Sequence, residues 1–459
     1  MKSKEIVVIG AGISGLATCF WLKKAGFKVT ILEANSVPGG AMITVEDDGY
    51  LIDYGPNSGL ETTPLIRQIV EEIGLKEEMI YANEEGNNRY ILKNNKLHSL
   101  PTGLAPFIKT KLFSTKGKLR LFAEPFIGKS DDGYYQSLGS FVKRRLGEEF
   151  LKYAIDPFVS GVFAGDPNKL SVKSAFPKLY RLEEVYGGLI KGMIKGAKER
   201  KKRTEQSKQN AKMFSFKSGM QVFPKTLSEK LNVEILYNAT VEKIDKLDNG
   251  YKINYSLNGS KKEIIASNVL ATIPALKLSE LIKGINVSLS NKLQTIIYPP
   301  VIVLYLGYDI KNIKTKLDGF GFLIPSLENK KFLGAIWSST IFVNRAPNGK
   351  ASFTLFIGGA RKLDLLKSNI QELIDKVINE FGVIMGINGA PEFKTYKIWE
   401  HAIPQYNVGY IEIEQAIEKF EEENEGFFIS GNHRGGISVG DCVKNSEITA
   451  NKIINYINN

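Results

Sequence analysis

The chain has 459 residues, 43% hydrophobic and 24% charged, a globular composition that excludes a disordered chain. Two cysteines, Cys19 and Cys442, cannot build a disulfide framework and suit a reducing, cytoplasmic compartment; three histidines without zinc spacing argue against a metal site. The formal net charge is +12, and residues 191–217 hold ten Lys or Arg against two acids. Such a run is a solvated segment or a contact for anionic lipid headgroups, and it lacks the interleaved aromatics of a nucleic-acid platform.

Lys2 and Lys4 before the apolar run Ile6 to Ile9 mimic a short signal peptide, but Gly10, Gly12 and Gly15 interrupt the run at once. The pattern reads as a buried strand over Lys4 to Ile9, a glycine turn, a helix from Ser14 to about Ala25 ended by Gly26, and a second strand from Lys28 to Glu33. A helix is expected from Pro64 to Ile73. Arg89 to Leu92 and Lys96 to Leu100 flank the turn pair Asn94-Asn95. From Pro101 to Phe214 the pattern is helical and irregular, with an amphipathic helix over Phe141 to Ala154 and a tight loop at Gly161 and Gly165. Strands follow at Val233 to Leu236, Val241 to Lys246, Tyr251 to Ser256, Glu263 to Ile265 and Asn268 to Ala271. Val301 to Tyr308, Gly319 to Ile324, Phe332 to Trp337 and Ala351 to Ile357 suggest a larger sheet, and Ile370 to Phe381 a helix. The longest apolar run, Ile296 to Tyr308, carries Pro299 and Pro300 and is too short to span a bilayer. Phe427 to Ser430 delivers Gly431 to a second glycine loop before a helix over Gly440 to Ile457, so one domain is assembled from both ends of the chain.

The sharpest motif is Gly10-Ala11-Gly12-Ile13-Ser14-Gly15, a G-x-G-x-x-G between strand and helix. Gly10 permits the turn, Gly12 lets a phosphate approach the backbone, and Gly15 lets the helix lie close to the strand. The helix start then faces a pyrophosphate. Glu33 stands 18 residues after Gly15, where an acid accepts from ribose hydroxyls and repels a 2′-phosphate. This is a dinucleotide site.

Further segments distinguish FAD from NAD. Ala34, then Gly39-Gly40-Ala41, resembles the pyrophosphate-wrapping loop of the FAD-dependent amine-oxidase-like superfamily. Asp53-Tyr54-Gly55-Pro56-Asn57-Ser58 resembles that superfamily's segment beside the isoalloxazine. Val241 matches a valine whose backbone meets the adenine. Gly431, Asn432, Ile437, Ser438 and Val439 belong to the closing loop, whose backbone amides could stabilise negative charge on the reduced flavin.

The middle of the chain narrows the resemblance. Arg89-Tyr90-Ile91-Leu92, the run Asp156-Pro157-Phe158-Val159-Ser160-Gly161-Val162-Phe163-Ala164-Gly165, Phe216-Lys217-Ser218-Gly219, Gly319-Phe320-Gly321-Phe322-Leu323-Ile324-Pro325 and Gly431 to Cys442 resemble the protoporphyrinogen oxidase family nearly end to end. The resemblance implies FAD-dependent, oxygen-consuming oxidation of protoporphyrinogen IX to protoporphyrin IX in heme biosynthesis. It implies that Arg89 pairs with a propionate, Leu323 and Ile336 sandwich a pyrrole, Phe356 stacks on another, and the Gly161 carbonyl approaches pyrrole N–H groups. Without it, Leu323, Ile336 and Phe356 read as sheet core, and Arg89 as a surface ion pair. No residue stands out as a general base; Asn57 is the candidate for orienting substrate or a water.

The expected fold is α/β: a Rossmann-like FAD domain (1–80, 215–275, 423–459), a mixed-sheet substrate domain (81–98, 276–422) and a helical region (99–214). The helical region would cover the pocket and contact the inner membrane face. The rival activities are coproporphyrinogen III oxidation, amine oxidation or polyene desaturation on the same fold, and an idle flavoprotein scaffold.

Overall fold

Ile6 to Ile9 has no polar face, and it becomes an inner strand of a parallel sheet buried on both sides. The computed structural model describes residues 2–196, 211–367 and 369–459. The five strands run in the order Glu234–Leu236, Lys28–Leu32, Glu5–Ile9, Val269–Ala271, Phe427–Ile429. The expected assembly from both chain ends is therefore present. The first helix, Ile13–Lys24, packs with the last, Val439–Asn458, on one face. The other face buries Ala275–Ile282, Val287–Gln294 and Tyr410–Glu423, which lie, but for Ala275 and Glu423, in the stretch expected for the substrate domain. Leu278, Leu289, Ile417 and Phe420 close on Val7, Ile9 and Phe427, so the core around the parallel sheet is larger than expected.

The second sheet has seven strands in the order Phe393–Trp399, Val301–Asp309, Lys350–Gly358, Gly334–Ile336, Gly319–Leu323, Asn88–Lys93, Lys96–Ser99. Asn94 and Asn95 both take positive φ, at 53° and 56°, which makes the hairpin turn the sequence implied. One face of this sheet is dry. Leu304, Phe322, Leu355 and Trp337 pack there against Phe381 and Val377 of the helix Ile370–Met385.

Residues 104–195 are helical, as expected, but two details differ. The helix expected over Phe141 to Ala154 is broken: Leu138–Leu146 ends at Gly147, whose φ of 96° only glycine adopts without strain. A short turn and a π-helical stretch, Leu151–Ile155, follow before the helix Asp156–Phe163. Gly161 lies inside that last helix and not in a loop; the chain leaves the helix at Ala164, which is left-handed. The helical region is pinned by Arg145, fully buried between Glu124 and Glu183. Most of the basic run, residues 197–210, lies outside the described residues. No described helix is long and apolar enough to cross a membrane.

Candidate functional site: a flavin cradle facing a half-exposed sheet

The cradle is built from backbone. Gly10 turns with φ 105°, and the Ala11 amide donates to Glu33 Oε2 at 2.6 Å. Glu33 Oε1 accepts from the Asn35 amide at 2.9 Å and from the Asn35 side chain at 2.7 Å. A Cβ on Gly15 would overlap the Gly10 carbonyl, which explains the third glycine. Gly12 forms an isolated bridge with Gly39, and the Gly39 amide donates to Ala11 O at 2.9 Å, so the two glycine loops lie against each other. A Cβ on Gly40 would sit 3.3 Å from Gly12 Cα. Gly12 caps the helix without any side-chain hydrogen bond, and Ile13 and Ser14 open its first turn with no acid among them. These amides fit a pyrophosphate.

Ala34 and Ala41 are exposed on the loops, and Ala41 O lies where a Cβ on Gly55 would go. Gly55, Pro56, Asn57 and Ser58 are all half-buried beside them. Val241 is half-buried on Ala239–Leu247, whose first amide donates to Glu33 O at 2.8 Å, so its strand starts beside Glu33. Loss of the Glu33 carboxylate frees the Ala11 and Asn35 amides. Glu33→Ala is therefore expected to weaken FAD binding by roughly 10- to 100-fold, read by titrating apoprotein and following flavin fluorescence.

Two tyrosines set the closing loop. Tyr406 Oη donates to Asn432 O at 2.8 Å and accepts the Gly436 amide at 3.0 Å, while Tyr410 Oη donates to His433 O at 2.6 Å. Ile437 is half-buried, and Ser438 and Asp441 form a capping box on the last helix. That box takes the Ser438 and Asp441 amides, leaving Val439 and Gly440 as the first-turn amides available to a negative group. His433 is fully buried, and burial together with Arg434 depresses its pKa to about 4. An unfolded histidine titrates near 6.5, so stability from this group is full above that value and is lost as pH falls towards 4. The expected slope is about 1.4 kcal/mol per pH unit at most, and His433→Gln should flatten it in thermal melts taken from pH 7 to pH 5.

The segment expected to face the flavin is clamped to the second sheet. Tyr54 Oη meets Thr395 Oγ1 at 2.8 Å, and Trp399 Nε1 donates to Tyr54 O at 2.8 Å. Beneath it Asp53 is buried, with burial raising its pKa against the opposing Arg345. Arg345 lies 3.7 Å from Asp53 and donates to Ser215 Oγ at 2.8 Å and Phe216 O at 3.0 Å. The Asn57 side-chain nitrogen donates to Asp53 O at 2.8 Å and Gly55 O at 3.3 Å. The nitrogen thus braces its own loop, while Asn57 Oδ1 is buried without a hydrogen-bond partner among the described residues.

The sheet's second face is the finding that composition could not supply. Leu323 pairs with Gly334, Gly334 with Phe356, and Phe356 with Val303, so the side chains of Leu323, Phe356 and Val303 point the same way. Arg89 and Ile336 both pair with Gly321, two residues from Leu323, and share that face. Leu323, Ile336 and Phe356 are half-buried and Arg89 is exposed. They are thus not part of the dry core behind them. Arg89 makes no ion pair among the described residues; its guanidinium carbon lies 5.8 Å from the Phe320 ring centroid. A Cβ on Gly161 would overlap Leu323, so the absent side chain is what lets the helical region reach this face. Gly161 sits in the last turn of its helix, and the Gly165 amide bonds instead to Val159 O, so the Gly161 carbonyl has no partner within the helix. Phe113, Leu112 and Tyr153 cover one end of the face around Ile91. Tyr54, Ala164 and Trp399 cover the other end.

The profile of the flavin-containing amine oxidoreductases matches residues 13–454. Protoporphyrinogen oxidase 2, chloroplastic/mitochondrial, of Arabidopsis thaliana is 34% identical over 483 residues, covering 100% of this chain and 95% of that protein. Coproporphyrinogen III oxidase of Bacillus subtilis (strain 168) is 29% identical, covering 99% and 98%. A crystal structure of an Exiguobacterium sp. 255-15 protein superposes with a TM-score of 0.80 at 23% identity, covering 99% of both chains. Glycine cradle and end-to-end match agree: the chain belongs to the flavin-containing amine oxidoreductase family, and its cofactor is FAD.

Proposed function

We propose that this chain oxidises a porphyrinogen, protoporphyrinogen IX to protoporphyrin IX, in heme biosynthesis. The observation that carries the reading is a single sheet face holding one arginine, with no acidic partner among the described residues, beside the apolar Leu323, Ile336 and Phe356 and opposite the flavin-facing segment. A greasy macrocycle with propionates needs that combination. The name of the Arabidopsis relative supports it.

Bound FAD supplies a two-electron acceptor that oxygen returns to its oxidised form. The protein's own contribution is placement. The Arg89 fork binds a propionate. Leu323 and Ile336 hold a pyrrole from its two sides, and Phe356 stacks on another ring. The Gly161 carbonyl, with no partner in its helix, takes a pyrrole N–H and favours the positive charge that develops as hydride leaves. The cover of Phe113, Tyr153 and Tyr54 excludes water, and fixed orientation supplies several kcal/mol of the barrier reduction.

Coproporphyrinogen III is the second reading. The name of the Bacillus relative favours it, and so does another cation on the same sheet face, Lys397. Steady-state kinetics on both porphyrinogens, following the product's Soret band, decides between them; no porphyrin band with either returns the reading to amines or polyenes.

The same reading places the helical region against the inner membrane face. Leu104, Ile108, Leu119, Phe122 and Phe126 are exposed there, Phe126 at 89%, among Lys109, Lys111, Lys116 and Lys118. The protein is expected to float with anionic vesicles at low salt and to leave them at high salt. Sedimentation without the vesicles at low salt would contradict this placement.

A further inference from the structure

The substrate face carries a second cation that the sequence reading passed over. Lys397 is directly opposite Val303, which is directly opposite Phe356, and that row continues through Gly334 to Leu323. Cross-strand partners share a face, so Lys397 points to the side that holds Phe356 and Leu323. Its neighbour on the edge strand, Lys394, points to the other side and pairs with Asp375 at 3.7 Å. Lys397 is half-buried and has no carboxylate partner among the described residues; its ammonium lies 5.0 Å from the Trp399 ring centroid. With an aromatic face beside it and no carboxylate partner among the described residues, the ammonium favours an anion that arrives with a ligand.

The placement says which anion. Arg89 stands on the strand Asn88–Lys93 and Lys397 on the far edge strand Phe393–Trp399, with Leu323, Ile336 and Phe356 between them. Five strand spacings of about 4.8 Å separate the two backbones, and both long side chains shorten the gap by leaning inward. We infer that Lys397 is a second carboxylate anchor, at the edge of the substrate face opposite Arg89, and that it admits a porphyrinogen with propionates on both edges. Protoporphyrinogen carries its propionates on one edge and uses Arg89 alone. Coproporphyrinogen carries one on every ring and uses both cations. This rests on the porphyrinogen reading above and assigns the residue that sets its specificity.

The test is Lys397→Met, with Lys397→Arg as the conservative variant, in FAD-loaded protein. Two ratios are read: coproporphyrinogen over protoporphyrinogen in kcat/KM, and coproporphyrin over protoporphyrin in Kd by fluorescence quenching. Lys397→Met should lower the preference for the tetra-carboxylate in both ratios at least fivefold, and Lys397→Arg should restore most of it. Ratios that stay within twofold of wild type overturn the inference, as does a fall that arginine does not restore. If neither porphyrinogen reduces the wild-type flavin, the oxidase reading itself falls and this assignment with it. If wild type is reduced but Lys397→Met leaves the ratios in place, only the role of Lys397 falls.

Discussion

Arg345→Met is expected to cost about 3–5 kcal/mol of stability, because it leaves the Asp53 carboxylate buried without its counter-charge. The same change removes hydrogen bonds to Ser215 Oγ and Phe216 O. The pH dependence gives the sign. Burial already raises the Asp53 pKa and Arg345 opposes the rise, so without Arg345 the carboxyl protonates still more readily. The deficit should therefore be larger at pH 8 than at pH 5. Asp53→Asn with Arg345→Met should recover much of the loss, since an amide oxygen can still accept from Thr44 Oγ1 and from the Met220 amide, as Asp53 does. Urea unfolding at both pH values checks all three expectations. Equal losses in single and double variants would show that the pair contributes only its packing.

Arg89→Ala is expected to lower kcat/KM for protoporphyrinogen by roughly 10- to 100-fold, chiefly through KM, since a charged hydrogen bond to a carboxylate contributes about 1.5–3 kcal/mol. Arg89 has no internal ion pair among the described residues, so its removal should leave thermal stability within about 0.5 kcal/mol of wild type. Arg89→Lys should recover part of the affinity, because an ammonium keeps the charge but loses the fork. An unchanged KM in Arg89→Ala would move the propionate site elsewhere.

The sequence made the cofactor cradle legible because glycine spacing follows from backbone geometry. Gly10, Gly12 and Gly15 need only one strand and one helix to explain them, and Glu33 falls at the end of the next strand. The proposed substrate face was legible only through family resemblance. Composition cannot tell a half-exposed leucine on an inner strand from a buried one, and Leu323, Ile336 and Phe356 read as core until the pairing register puts them on the same face as Arg89. Lys397 was missed for a related reason. Phe393–Trp399 is a charged edge strand, FKTYKIW, whose alternation of inward and outward residues is the signal that could have found it. Tyr410–Glu423 was missed because its many glutamates mask the apolar stripe of Tyr410, Ile413, Ile417 and Phe420. The Asp53–Arg345 pair brings together residues 292 positions apart and has no local signature. Gly161 was misplaced because a glycine reads as a turn, whereas here it is a helical residue whose missing side chain makes room for Leu323.

Under the proposed function, a porphyrinogen gives its electrons to flavin held against this sheet face. Anaerobic mixing of the FAD-loaded protein with protoporphyrinogen or coproporphyrinogen tests it most directly. The yellow flavin absorbance should bleach within the turnover time while porphyrin fluorescence rises with it. Flavin that stays oxidised with both substrates, yet bleaches with dithionite, would contradict it.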